Sequence, residues 1–224
     1  MHYPTHSTSQ IISVTGAHMT HVSCQGFVDR ADDGIYIAEV NQWENVFSNQ
    51  AALFRMSDGS SCRINEFRRI GHPGAVRMAL WGTEGSFEHN ASGSVWLTKN
   101  AAEKEQLDDL LACKGAPVKK SSEKAEGMDL VTSEDGTHLH ASAVHPVERL
   151  PKEFIGLSNG HAGSHQFLVD DFVKACATNT QPDMNHVWDA ARYAIPGIVA
   201  HESSKQDGVL LEIPDLGGGP SSQN

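Results

Sequence analysis

The chain has 224 residues, 39% of them hydrophobic, and a formal net charge of −11 with histidine neutral. That length can bury a full core. The acidic balance, with no basic stripe to neutralise phosphates, argues against a nucleic-acid partner. No apolar run approaches the roughly 18 residues a membrane-crossing helix needs, and the opening MHYPTHSTSQ has neither the basic nor the apolar region of a secretory signal. Cys24, Cys62, Cys113 and Cys176 are too far apart for a CxxC motif, so a cytoplasmic protein with reduced thiols is expected.

In chain order, residues 5–16 predict a short helix. Pro4 suits its start, Thr5 or Ser7 could cap it, and Gly16 could stop it. Residues 18–30 alternate as a strand, and 31–49, polar around Trp43 and Phe47, read as a long loop of the kind that often carries function. Ala51–Met56 and Ser61–Ile70 form a hairpin about Asp58-Gly59. Arg77–Gly82, Ser86–Asn90 and Ser94–Leu97 extend it as an antiparallel meander punctuated by Gly85 and Gly93. A short helix over 101–113 is expected from Leu107, Leu110 and Leu111. Residues 114–150, rich in Lys, Ser, Glu, Gly and His, read as a flexible insertion.

Two helices close the pattern. One is Ser164–Thr178, with Leu168, Phe172, Val173 and Cys176 at helical spacing. The other is about Asn185–Ser203, with Val187, Ala191, Ala194 and Ile198 on one side and a kink or break expected at Pro196. A last strand, Val209–Ile213, precedes a frayed tail over 216–224. Strands followed by helices predict an α+β fold: an open, mostly antiparallel β-sheet with helices packed on one face, in one domain spanning 1–215.

Thirteen histidines are the unusual feature. Tyr3-Pro-Thr-His6 stands before a helix, whose N-terminal dipole favours a neutral imidazole able to act as base or hydrogen-bond donor. Gly160-His-Ala-Gly-Ser-His165 is a glycine-rich loop opening a helix. It either lets a ligand approach His161 or is a helix start capped by Ser164 with both histidines exposed. His138, His140 and His145 alternate as on a surface strand, without the further ligands a metal site needs. Asp170 and Asp171 read as a solvated helix face. Arg68 and Arg69 point to opposite faces of any strand; one could reach a ligand, and cross-strand pairing with Glu66 is the plainer role.

Tyr3-Pro-Thr-His6-Ser-Thr-Ser, Ile12–Gly16, Cys62–Phe67, Gly160–His165 and Asp189–Ser203 followed by Val209–Pro214 together resemble the C-terminal domain of the Gfo/Idh/MocA oxidoreductase family. The resemblance covers nearly the whole chain, from Met1 to about Gly217. It implies an enzyme whose N-terminal Rossmann domain binds NAD or NADP and carries a Glu-Lys-Pro motif. The C-terminal domain then lines the substrate site and commonly makes subunit contacts. A histidine of this domain faces the sugar carbon that gives up hydride, and His6 matches it best. Tyr3, His161 and His165 would hold the substrate. The Tyr-Pro-Thr-His form also resembles the branch that hydrolyses glycosides through transient oxidation. There, oxidation at C3 acidifies the C2 proton and elimination expels the aglycone.

The sequence departs from that pattern in lacking Gly-x-Gly-x-x-Gly after a strand, a ribose-binding acidic residue and Glu-Lys-Pro. The expectation is therefore a substrate-side half that binds no cofactor and no metal by itself and is inactive alone. Its partners would be a sugar, the missing Rossmann domain and, through the sheet, a second copy. The alternatives are a non-catalytic carbohydrate-binding module, with Trp43, Trp81 or Trp96 as stacking platforms, and a purely structural oligomerisation domain.

Overall fold

The computed structural model describes residues 1–41, 43–72, 76–90, 93–100, 104–107, 149–152, 164–182 and 186–218. These fall into two compact units: Met1–Val76 with Asp183–Asn224, and Arg77–Pro182.

The first unit begins with α1 (Thr5–Thr15). Gly16, at φ 71°, ends it as expected by taking the left-handed conformation that only glycine adopts cheaply. No side chain caps its start, contrary to the Thr5 or Ser7 expectation. The Pro4 carbonyl instead accepts from the Ser7 and Thr8 amides at 2.8 and 2.9 Å. Then come β1 (Met19–Val28), β2 (Phe47–Met56) and β3 (Ser61–Phe67). With the later β8 (Leu211–Glu212) they form a four-stranded sheet in the order β3-β2-β1-β8, antiparallel throughout. Side chains alternate, as the pleat requires. Ala52, Phe54 and Met56 of β2 are buried, together with Val22 and Cys24 of β1 and Ile64 of β3. Leu53 and Phe67 stand on the opposite, exposed face.

The last helix of the chain, here α3 (Val187–Lys205), packs on β1 and on α1. It runs unbroken through Pro196, where a kink or break was expected. Its buried face also differs from the apolar stripe in the sequence. Val187 and Ile198 are exposed, whereas Pro196, Gly197, Ala200, His201, Ser203 and Ser204 face inward. The serines stitch helix to sheet. Ser203 Oγ accepts from the Cys24 amide at 2.9 Å and donates to the Val209 carbonyl at 2.7 Å. Ser204 Oγ accepts from Gln50 Nε2 at 2.8 Å. That bond lets a glutamine sit in the core, and it explains why β2 starts four residues before the apolar run at Ala51.

The second unit carries β4 (Met78–Trp81), β5 (Gly85–Asn90), β6 (Gly93–Thr98) and β7 (Lys104–Gln106), an antiparallel sheet in chain order. The strands that read as one continuous meander thus belong to two sheets. β7 corrects part of the helix expected over 101–113: Val95, Trp96 and Leu97 pair with Gln106, Glu105 and Lys104. Leu110 and Leu111, which carried that expectation, lie outside the described residues, as do the insertion expected up to residue 148 and His138, His140 and His145.

α2 (Ser164–Thr178) has the predicted bounds but not the predicted inner face. Phe167, Asp170 and Ala175 are buried, whereas Leu168, Phe172 and Val173 are exposed. Asp170 is correspondingly not solvated; Lys174 Nζ reaches it at 2.7 Å, the partner a buried carboxylate needs.

Candidate functional site

Tyr3 and His6 come together in the first unit. Pro4 sets the turn into α1, and the two rings stack with centroids 4.6 Å apart. Arg68, just beyond β3, places its guanidinium carbon 5.0 Å from the centre of the Tyr3 ring, a cation–π contact. Glu66 holds that guanidinium. Its Oε1 accepts from Arg68 Nε at 3.0 Å and Nη2 at 2.9 Å, and its Oε2 accepts from the Tyr3 amide at 3.4 Å. The pairing is local, between residues two apart at the end of β3, rather than across strands as expected. Glu66, Arg68, Tyr3 and His6 therefore form one continuous row.

The row opens onto a cleft of about 530 Å³, lined by Tyr3, Glu66 and Arg68 and by Tyr36 and Trp43 of the loop over 29–46. His2, Phe47 and Gln50 complete much of the floor. The loop is shaped by its own short polar side chains. Asp29, Asp33, Asn41 and Asn45 each accept from the backbone amide two residues on, at 2.8 to 3.1 Å. Arg69 ties the loop to the sheet. Its Nε meets Asp29 at 3.2 Å, its Nη2 meets Asp33, and it lies 5.2 Å from the Tyr36 ring centre. The guanidinium holds the Asp33 carboxyl below the usual range, so it stays ionised at neutral pH.

Behind the cleft is a ring stack that the sequence reading did not single out. Trp43 stacks on His2 at 5.4 Å, and His2 lies 4.2 Å from His201, which meets the edge of Phe47 at 5.8 Å. His201 is 2% exposed, and neither ring nitrogen has a hydrogen-bond partner among the described residues. Desolvation lowers its pKa to about 3 and lowers that of His2 as well, so the His201 imidazole stays neutral.

His165 is the exposed second residue of α2, in the second unit, and His161 lies outside the described residues. Of the tryptophans weighed as platforms, only Trp43 lines the cleft. Trp81 is exposed on β4 with its Nε1 donating to Glu88 at 3.3 Å, and the Trp96 ring lies against Gly85. Two of the thiols are not placed for chemistry: burial raises Cys24 and pushes Cys62 up to about 11.

Both sheets are antiparallel throughout. No described element therefore offers the parallel βαβ crevice and glycine-rich turn that hold a dinucleotide. The residues described do not fit NAD or NADP.

No protein-family model matches the sequence, and no curated protein matches it. Solved structures do. Levoglucosan dehydrogenase in its apo form superposes with a TM-score of 0.59 at 14% identity, covering 96% of this chain and 51% of that one. An oxidoreductase domain protein from Kribbella flavida gives 0.57 at 16%, covering 95% and 49%. UDP-N-acetylglucosamine 3-dehydrogenase from Acidithiobacillus ferrooxidans gives 0.52 at 12%, covering 91% and 46%. At these identities the likeness shows the fold. The chain spans about half the length of the structures it matches.

Proposed function

We propose that this chain, whose fold is that of the C-terminal half-domain of Gfo/Idh/MocA-type oxidoreductases, is the substrate-side part of a sugar-directed, NAD(P)-dependent enzyme. The observation that carries this reading is the coincidence of that fold with the Tyr3–His6 stack at the start of α1. Levoglucosan dehydrogenase, one of the structures sharing the fold, has also been solved with NADH and levoglucosan.

In this proposal His6 moves the proton of the reacting hydroxyl, and Tyr3, His161 and His165 hold the sugar. The dinucleotide is supplied by a separate Rossmann segment, and the chain alone is inactive. The setting is cytoplasmic. The exposed sheet face supports a second copy as partner: Phe27, Asn49 and Phe67 lie in register across three strands, and Leu53 stands on the same side. The same cleft favours one other reading, carbohydrate binding without catalysis, because Trp43 lines it.

Two experiments separate the readings. Reading the bases upstream of the Met1 codon for an in-frame Gly-x-Gly-x-x-Gly and Glu-Lys-Pro tests for the missing segment. In a two-domain enzyme bearing this chain, His6→Ala should lower kcat for sugar-dependent NAD(P) reduction by about a hundredfold or more, the usual size of a proton-transfer role. A wild-type rate in that variant removes His6 from the chemistry.

A further inference from the structure

The cleft beside Tyr3 has a definite charge character. Arg68 is the cation of its wall, and Glu66 already neutralises it. Arg69, which holds the loop, is matched by two carboxylates, Asp29 and Asp33. Among the residues lining the cleft no second guanidinium or ammonium is present to meet an anion, and the Arg69, Asp29 and Asp33 cluster sums to negative. Glu66 is unevenly used. Both Arg68 donors fall on Oε1, whereas Oε2 takes only the long contact from the Tyr3 amide. A carboxylate oxygen with unused lone pairs, facing a cleft, is an acceptor for hydroxyl protons. In the same lining, the Trp43 indole is backed by His2 and is 61% exposed. It offers a flat apolar platform at the mouth of the cleft, and about 530 Å³ is room for a monosaccharide ring.

We infer that this cleft selects an uncharged, hydroxyl-bearing ring over its carboxylated or phosphorylated counterpart, with Glu66 Oε2 accepting from ring hydroxyls and Trp43 covering an apolar face of the ring. The inference rests on the sugar-directed reading above and narrows it: Glu66 and Trp43 become specificity-determining residues. An anionic substituent would enter beside Glu66 with no unmatched cation in the lining to receive it, and like-charge placement of this kind is how binding sites reject a competitor.

The test is isothermal titration of the 224-residue chain with methyl pyranosides of glucose, galactose and mannose, each paired with the uronate of the same ring. At least one neutral ring should bind saturably, and its uronate should bind about tenfold or more weakly. Glu66→Gln should weaken the neutral ring by about 10- to 100-fold, the size of a lost charge-assisted hydrogen bond. Trp43→Ala should weaken it by about tenfold. Both side chains are at the surface of the cleft, so circular dichroism and melting temperature should match the parent chain.

A uronate binding as tightly as its neutral ring overturns the charge selection. Ring binding that is lost in Tyr3→Ala or His6→Ala but untouched by Glu66→Gln and Trp43→Ala overturns the cleft assignment and leaves the sugar-directed reading standing. No binding by any ring overturns the inference, while the His6→Ala kinetics of the two-domain enzyme still decide that reading.

Discussion

α1 and α3 lie against one another in the first unit, but they hold their places by different means. α1 is an ordinary amphipathic helix: Ile12 is buried with Ile11 packed beside it, and Thr8 bonds the Pro4 carbonyl at 3.1 Å and the Tyr193 carbonyl of α3. α3 keeps its fully buried face small, with Tyr193, Ile195 and Val199 only partly buried against the core beside it. Its inner face is proline, glycine, alanine, histidine and serine. A face built so adds close backbone approach, which multiplies dispersion contacts and lets serine hydroxyls bridge to the sheet, to what side-chain area supplies. The contrast matters for the site, because the closest approach is at Gly197, against Pro4 and the Met1 carbonyl. Pro4 lies between Tyr3 and His6, so α3 sets where the candidate site stands.

The largest effect is therefore expected at Gly197. A Cβ there would overlap the Pro4 ring and stand 2.8 Å from the Met1 carbonyl oxygen, with backbone and a rigid ring as the atoms that must yield. Gly197→Ala should lower stability by about 1–3 kcal/mol, the usual cost of overpacking. Helix propensity works the other way by up to about 1 kcal/mol in favour of alanine, so a net loss isolates the packing. Chemical denaturation measures it. A variant as stable as the parent would mean that the helices can part without cost, and α3 would lose its role as the site's support.

The same contrast explains what was legible in the sequence. α1, its glycine stop and the hairpin at Asp58-Gly59 announce themselves because conformational rules and apolar periodicity agree there. The inner face of α3 was hidden because periodicity looks for large apolar residues, and Val187 and Ile198 drew attention to the wrong side. At Pro196 a kink or break was expected; the residue is buried and the helix is not broken there. In the site, Tyr3 and His6 were legible from one short motif, whereas the cleft was not. Its wall comes from a loop whose Asp and Asn residues, each two before a bonded amide, were a signal that went unread. Glu66 was weighed only as a partner for arginine, because a strand pattern does not show which carboxylate oxygen is left unused.

The next effect is set by pH and sharpens the comparison at the polar end of α3. His201 titrates at about 3 in the folded chain, against about 6.5 for an unfolded histidine. Between those values the unfolded chain holds a proton that the folded chain lacks, so this residue makes stability fall as pH drops from 6.5 toward 3. One proton contributes at most about 1.4 kcal/mol per pH unit. His201→Phe keeps a flat ring and removes two buried nitrogens that have no partner among the described residues. It should match or exceed the parent at pH 7, and its advantage should grow at pH 6 and pH 5 in urea titrations. Parallel profiles for the two proteins would show that His201 finds a partner or reaches solvent in the folded state.

The smallest effect is the one that the apolar pattern would have made large. Ile198 is 53% exposed and Val187 is 72% exposed, so neither carries the helix–sheet contact. Ile198→Ala and Val187→Ala should each change stability by no more than about 0.5 kcal/mol, as surface substitutions do, with alanine's helix propensity partly offsetting the lost area. If the Val187 and Ile198 side of α3 were packed instead, each truncation would cost about 2 kcal/mol or more. A loss of that size in the 224-residue chain would place a partner surface on this side of α3, and would make the glycine and serine face only one of two that the helix buries.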